Sequence, residues 1–324
     1  MSNIFIKNYG AYAPQKVITN DMLSEIVDTS DEWISKRTGI SERRISEGED
    51  TSLLAVKAVK SILEKENLNP LEIDLIITAT ITPDNLVPSV SCIVQKEIGA
   101  DNAMAFDISA ACSGFVFGMQ TAYSMMNMND SFKKAIVIGS EVLSKIVDWE
   151  DRSTCVLFGD GAGAVLLEKS EKERLTDFYS YSVGKKGDVL QCGGFDVFNP
   201  FIIEEKVKNK HVTMNGREIF RFAVKAISDS INTLLERNEL KIDDIDYIVP
   251  HQANERIIEF TAEKLKIDKN KIYTNLKYYG NTSSASIAIA LSEMNDKGLL
   301  KDGMKLVLVG FGGGLTVGSL LIEL

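Results

Sequence analysis

"LEIDLIITAT" (71–80), "MAFDISAACSG" (104–114) and "KKAIVIGSE" (133–141) follow one another in the first half of the chain. The same order returns in the second half as "DDIDYIVPHQ" (243–252), "YTNLKYYGNTSSA" (273–285) and "MKLVLVGFG" (304–312). Each set reads as strand, small-residue turn, helix, strand. The spacing agrees: 38 residues separate Asp74 from Cys112 and 35 separate Asp246 from Asn281, while Cys112 to Gly139 spans 27 and Asn281 to Gly310 spans 29. Apolar strand-like runs that alternate with longer helix-like segments, such as 51 to 66 and 254 to 266, indicate an α/β protein, and the repeat indicates a duplicated unit. The halves are expected at 1–170 and 171–324. If they pack about a pseudo-twofold axis, Cys112, His251 and Asn281 can converge from strand carboxyl ends on one crevice.

The rest of the composition narrows the function classes. With 324 residues, 44% of them hydrophobic, the chain can bury a large core. A net charge of -10 opposes broad binding to nucleic acid or to an anionic membrane, so an anionic partner must find a local basic patch. No run of about 18 apolar residues offers a bilayer span, and the start "MSNIFIKNYGAYAPQ" is not patterned as a leader, so a soluble, cytoplasmic protein is expected. Four separated cysteines and two histidines match neither a disulfide framework nor a metal-ligand spacing. The segment 184–216 is the least regular and reads as an excursion that covers a pocket or a subunit interface.

Three residues carry the chemistry best. Cys112 follows a strand-like run and opens "SGFVFGMQTAYSMM", apolar on nearly every side, which puts the thiol at the start of a buried helix. A helix N-terminus favours the thiolate, the nucleophilic form, whereas the bland alternative is a packed small hydrophobe. His251 ends an apolar strand in "IVPHQANERI", a position suited to acid–base or hydrogen-bonding work. Asn281 sits in the turn of "YYGNTSSAS", where taken by itself it reads first as an N-cap or turn asparagine. "GFGGGLTVG" (310–318) could aim backbone N–H groups at a developing oxyanion. "GDGAGAVLLE" (159–168) leads into a strand rather than a helix, so its glycines do not make a phosphate loop, and His211 in "KVKNKH" reads as a surface residue.

Together "AACSGF", "VPHQANERI" and "YGNTSSAS", with "DTSDEWISKRTGI" (28–40), "FGDGAGAVLL" and the closing "GFGGGLTVG", resemble the β-ketoacyl-[acyl-carrier-protein] synthase III family over essentially the whole chain. The resemblance implies a thiolase-like, duplicated five-layer αβαβα core in a homodimer. It implies a decarboxylative condensation of an acyl-CoA primer with malonyl-acyl carrier protein that starts type II fatty-acid synthesis, with no metal and no tightly bound cofactor. Cys112, His251 and Asn281 fall on the catalytic triad, and the N–H groups of Cys112 and Gly313 on the oxyanion hole.

By the same resemblance Trp33, Arg37, Thr38, Arg152, Phe220, Ala253 and Asn254 contact coenzyme A. Arg256, Arg221 and Lys264 form the patch for the acidic carrier protein. Two departures bear on primer choice. Val87 stands where acetyl-selective members carry Phe, and Val317 where many carry Trp, and both leave room for a longer chain. A relative from specialised metabolism with another acceptor, a Cys–His thioester hydrolase and a non-catalytic carrier-binding scaffold are the competing readings.

Overall fold

The computed structural model describes residues 2–201 and 207–324; part of the 184–216 excursion, 202–206, lies outside them. In chain order the first half reads β1 (Ser2–Tyr12), β2 (Val17–Thr19), α1 (Asn20–Ser24), α2 (Asp31–Thr38), β3 (Glu42–Arg44), α3 (Thr51–Glu66), β4 (Leu75–Ala79), α4 (Val90–Ile98), β5 (Met104–Ile108), α5 (Gly114–Met128), β6 (Lys134–Glu141) and β7 (Gly161–Arg174). The second reads β8 (Thr176–Ser182), β9 (Leu190–Gln191), β10 (Thr213–Met214), α6 (Gly216–Arg237), β11 (Tyr247–Pro250), α7 (Glu255–Leu265), α8 (Leu276–Tyr279), α9 (Ala285–Asp296), β12 (Lys305–Gly312) and β13 (Thr316–Glu323). A single residue, Leu175, joins β7 to β8, and position 170 lies inside β7.

The sheets repeat one another. The first has the order β1-β7-β6-β4-β5, with β4 parallel to both β5 and β6 and the β7 and β1 pairings antiparallel. The second has β8-β13-β12-β11, again antiparallel up to the parallel β12–β11 pair. A lone parallel bridge from Ile248 to Ile272 stands where the first sheet has β5.

Alternation along the strands sorts the side chains into layers. Leu75 and Ile77 of β4 face the central core with α5 and α9, and Ile76 faces the outer core with α3 and α4. In β12, Leu306 and Leu308 join the same central core, while Val307 and Val309 pack beneath α6 and α7. The result is α3/α4, sheet, α5/α9, sheet, α6/α7: five layers. Both faces of β4 are covered, which is why "LIITA" is apolar without a polar face. α9, between the two sheets, carries small residues that let both backbones approach, and nine of its twelve residues are buried.

Pseudo-symmetry reaches the turns that feed the central helices. Ala111, before α5, has φ +46°, and Ser283, before α9, has φ +49°. For non-glycine residues this left-handed conformation is costly and persists only where the surroundings enforce it. By this geometry the counterpart of Cys112 in the second half is Ser284, one residue after Ser283, and not Asn281.

Candidate active site

Cys112 lies in a short helical turn, Ala111–Ser113, between β5 and α5. His251 extends β11 by one rung, its N–H donating to Val309 O at 2.8 Å. Asn281 is clamped on its backbone: its N–H donates to Leu157 O at 2.8 Å and its carbonyl accepts from Gly159 N at 3.0 Å. Its Oδ1 accepts from Ser283 N at 2.8 Å, which leaves Nδ2 without a protein partner among the described residues. All three residues are buried, and all three line one cavity of about 1100 Å³. Phe158, Phe311 and Leu315 supply apolar wall, and His251 meets Phe311 edge-on, with ring centres 5.4 Å apart.

The electrostatics correct one expectation. Burial pushes the Cys112 thiol up to about 12; the nearby Ser283 hydroxyl, which makes no directional hydrogen bond, pulls it back only in part, and the Glu141 carboxylate adds to the rise. Desolvation therefore outweighs the helix start, and the resting cysteine is a thiol rather than a thiolate. Burial also lowers His251 to about 3, so its imidazole is neutral. The cavity therefore holds a neutral thiol and a neutral imidazole. Glu141, fully buried, accepts from Thr82 Oγ1 (2.6 Å), Ser284 Oγ (2.9 Å), Thr80 Oγ1 (3.1 Å) and Ile81 N (3.1 Å), and so fixes the turn opposite Cys112.

The end of β12 stands close to the Cys112 turn. A Cβ at Gly312 would fall 2.6 Å from Cys112 N, so only glycine lets the end of β12 pass this near, and Gly313 follows in the cavity wall. The excursion supplies a cover: Leu190, Gln191, Cys192, Gly193, Gly194, Phe195, Val212 and Met214 all line the cavity.

The residues assigned to coenzyme A divide. Phe220, Ala253 and Asn254 line the cavity. Trp33 carries Arg37 at 4.5 Å and Arg152 at 5.2 Å from its ring centre, a cationic aromatic cluster tied to the cavity wall by Asn254 Nδ2 donating to Arg37 O at 3.0 Å. Thr38 does not join it. Its hydroxyl donates to Ile34 O and accepts from Ile40 N, so the buried Thr38 side chain closes the end of α2.

Arg256 and Lys264 are exposed on α7, and Arg221 is exposed on α6, where it pairs with Glu218 at 3.3 Å. α6 and α7 pack together, with Phe220 edge-on to Phe260 at 5.3 Å. Val87 is 83% exposed and does not line the cavity of its own chain, although its neighbour Leu86 does. Val317 is corrected outright: it is fully buried among Ala223, Ile227 and Val309 beneath α6, so a small residue there opens no cavity space. His211 is exposed, 3.6 Å from Asp148.

Several contributors escaped the sequence reading. Glu141, Gln252, Ser283 and Ser286 hold the turns and strand end that carry Cys112, His251 and Asn281, and their only signal was membership of the quoted segments "IGSE", "PHQ" and "NTSSAS". Among the described residues no cluster of three or more His, Cys, Asp or Glu could hold a metal ion, and no helix is long and apolar enough to cross a membrane.

The family model 3-oxoacyl-[acyl-carrier-protein] synthase III matches residues 106–187, and the model of that enzyme's C-terminal part matches residues 235–324. A β-ketoacyl-[acyl-carrier-protein] synthase III of Clostridium botulinum (strain Okra / Type B1) is 56% identical over 99% of both chains, and one of Clostridium beijerinckii is 53% identical over 100% of both. The crystal structure of 3-oxoacyl-[acyl-carrier-protein] synthase III from Aquifex aeolicus VF5 superposes with a TM-score of 0.92 at 43% identity, covering 99% of this chain and 100% of that one.

Proposed function

The chain belongs to the 3-oxoacyl-[acyl-carrier-protein] synthase III family, and from that premise we propose how its own residues carry out the condensation that starts fatty-acid synthesis. It is a thiolase-fold acyltransferase. The substrates in this reading are an acyl-CoA and malonyl-acyl carrier protein.

In the first half-reaction Cys112 sulfur attacks the thioester carbonyl of acyl-CoA. The carbonyl oxygen, negative in the tetrahedral intermediate, accepts from the N–H groups of Cys112 and Gly313. The C–S bond to coenzyme A breaks, the thiol proton leaves with coenzyme A, and Cys112 keeps the acyl group. In the second, malonyl-acyl carrier protein enters and its thioester oxygen accepts from His251 and Asn281. Loss of carbon dioxide leaves an electron pair delocalised onto that oxygen as an enolate, which the two donors stabilise. The enolate carbon then attacks the acyl-Cys112 carbonyl, forms the new C–C bond and expels the cysteine sulfur, which takes up a proton.

The observation that carries this reading is two side-chain nitrogens with no protein partner among the described residues, Asn281 Nδ2 and Nε2 of a neutral His251, in the same buried cavity as the Cys112 thiol. A neutral imidazole suits the task, because an imidazolium would be costly to bury.

A homodimer completes the reading. β5 is the edge of the first sheet with Met104 half exposed, and Leu86 and Val87 are exposed beyond β4, a surface that a second copy can cover. The Trp33–Arg37–Arg152 cluster suits the adenine and phosphate end of coenzyme A, and Arg256, Arg221 and Lys264 suit an acidic carrier. The test is to separate the half-reactions by mass spectrometry. Cys112→Ser should take no acyl group from acyl-CoA, whereas His251→Ala and Asn281→Ala should still be acylated while malonyl decarboxylation falls by about 10². Normal loading of Cys112→Ser, or wild-type decarboxylation in either other variant, overturns these assignments.

A further inference from the structure

Ser286, in the first turn of α9, is buried, and its Oγ lies 2.7 Å from Nδ1 of buried His251. The polarity of this hydrogen bond follows from counting donors. Gln252 N–H also points at Ser286 Oγ, at 3.4 Å. If Nδ1 carried the imidazole proton, two donors would converge on one hydroxyl oxygen and the hydroxyl hydrogen would need a third partner. Among the described residues no other acceptor is hydrogen-bonded to that hydroxyl. A buried hydroxyl hydrogen without an acceptor is costly. The satisfied arrangement runs one way: Gln252 N–H to Ser286 Oγ, then Ser286 Oγ–H to His251 Nδ1.

Gln252 is itself held at both ends. Its Nε2 donates to Pro250 O (2.7 Å), and its Oε1 accepts from Asn275 N (3.0 Å). The peptide that feeds the chain is therefore fixed on the strand end that presents His251.

We propose that Ser286 is a positioning residue that sets the tautomer of His251, holding Nδ1 as the acceptor so that the single imidazole proton resides on Nε2 and is donated into the cavity. This rests on the condensation reading for its purpose, since a donor is what an enolate oxygen needs, but the tautomer itself is a property of the resting protein. Ser286 touches no reacting atom in this scheme. Its contribution is confined to the decarboxylation and condensation step, and loading of Cys112 does not use it.

The chain has only two histidines, so 15N-histidine labelling of the full-length protein gives two imidazole spin systems, and a His211→Gln sample identifies the one from His251. At neutral pH the wild type should show a protonated Nε2 and an unprotonated Nδ1. Ser286→Ala should move the His251 shifts toward a mixture of tautomers and slow malonyl decarboxylation about tenfold, the scale of one lost hydrogen bond, with Cys112 loading unchanged. Ser286→Thr, which keeps the hydroxyl, should restore the wild-type shifts. A proton on Nδ1 in the wild type, or unchanged His251 shifts in a folded Ser286→Ala, overturns the proposal. A wild type with the expected shifts that forms no ketoacyl product leaves the tautomer intact and instead defeats the condensation reading.

Discussion

Gly310 in β12 lies directly against Cys112: a Cβ there would sit 2.9 Å from the Cys112 carbonyl oxygen and 3.0 Å from Ser113 Cα. The pseudo-symmetric relationship joins Gly139 in β6 to Ser284, whose carbonyl oxygen would be 2.2 Å from a Cβ at 139. Each half thus supplies the bare strand on which the other half's helix-start turn rests, so the position of Cys112 is set across the two units.

Gly310→Ala should therefore displace the Cys112 turn, because the obstructing atoms are backbone and cannot rotate away. We expect a loss of about 1–3 kcal/mol in unfolding free energy and slower acyl loading of Cys112. Gly184→Ala is the control, since a Cβ there meets nothing within 4 Å. Denaturant unfolding and loading kinetics on both variants check this. Equal behaviour of the two would mean that β12 yields where we expect the Cys112 turn to yield.

Burial of the neutral imidazole also makes a stability prediction. His251 titrates near 6.5 when unfolded but is lowered to about 3 in the fold. Between those values the unfolded chain binds the extra proton, so the wild type loses stability as pH falls from 6.5 toward 3 and has its full share above 6.5. His251→Gln removes the titration, so the wild-type-minus-variant difference should shrink on acidification. Urea unfolding at pH 7 and pH 5 measures it; a difference independent of pH would mean that burial does not shift His251 from its unfolded titration.

Much of this architecture was legible because it rests on local patterns. β4, β6, β11 and β12 are covered on both faces and read as continuous apolar runs, and α3 and α7 fall within a residue of the expected segments. What was not legible depends on which side of a strand a residue faces, or on what the other half brings near. Val317 and Thr316 differ by one position in β13, yet one enters the core beneath α6 and the other lines the cavity. Thr38 matched a motif while its hydroxyl was committed to its own helix end. The thiol's protonation turned on desolvation by both halves, whereas the sequence showed only the helix start.

Carrier recognition gives a third test. Among the described residues the Arg256 guanidinium forms no ion pair, although its backbone N–H is taken by Asn254 Oδ1, so the charge is free for a partner while the helix start is not. Arg256→Glu should raise the Michaelis constant for malonyl-acyl carrier protein by about tenfold, more at low salt than at high, because an exposed charge acts mainly on encounter. Loading from acyl-CoA should change by less than about twofold. Equal losses in both half-reactions would move the carrier surface away from α7.

Val87 bears on primer choice only if a second copy brings it to a cavity. It is 83% exposed and turned away from its own cavity, while Leu86 beside it contributes to the wall, so an influence of Val87 on the acyl chain requires that it reach the cavity of a second copy. Val in place of Phe removes an aromatic ring from the end of that pocket, and each additional methylene buried there contributes about 0.8 kcal/mol, roughly fourfold in affinity. Because Val317 is sealed in the core, Val87 is the only one of the two departures able to act on chain length. Wild type should accept branched or medium primers at least as well as acetyl-CoA, and Val87→Phe should shift preference to acetyl by exclusion, with loading of the shortest primer little changed. A panel of acyl-CoAs with malonyl-acyl carrier protein, products read by mass spectrometry, decides it. An unchanged profile in Val87→Phe, or a wild type already confined to acetyl-CoA, would assign closure of the pocket to the cover around Leu190 and Phe195 instead.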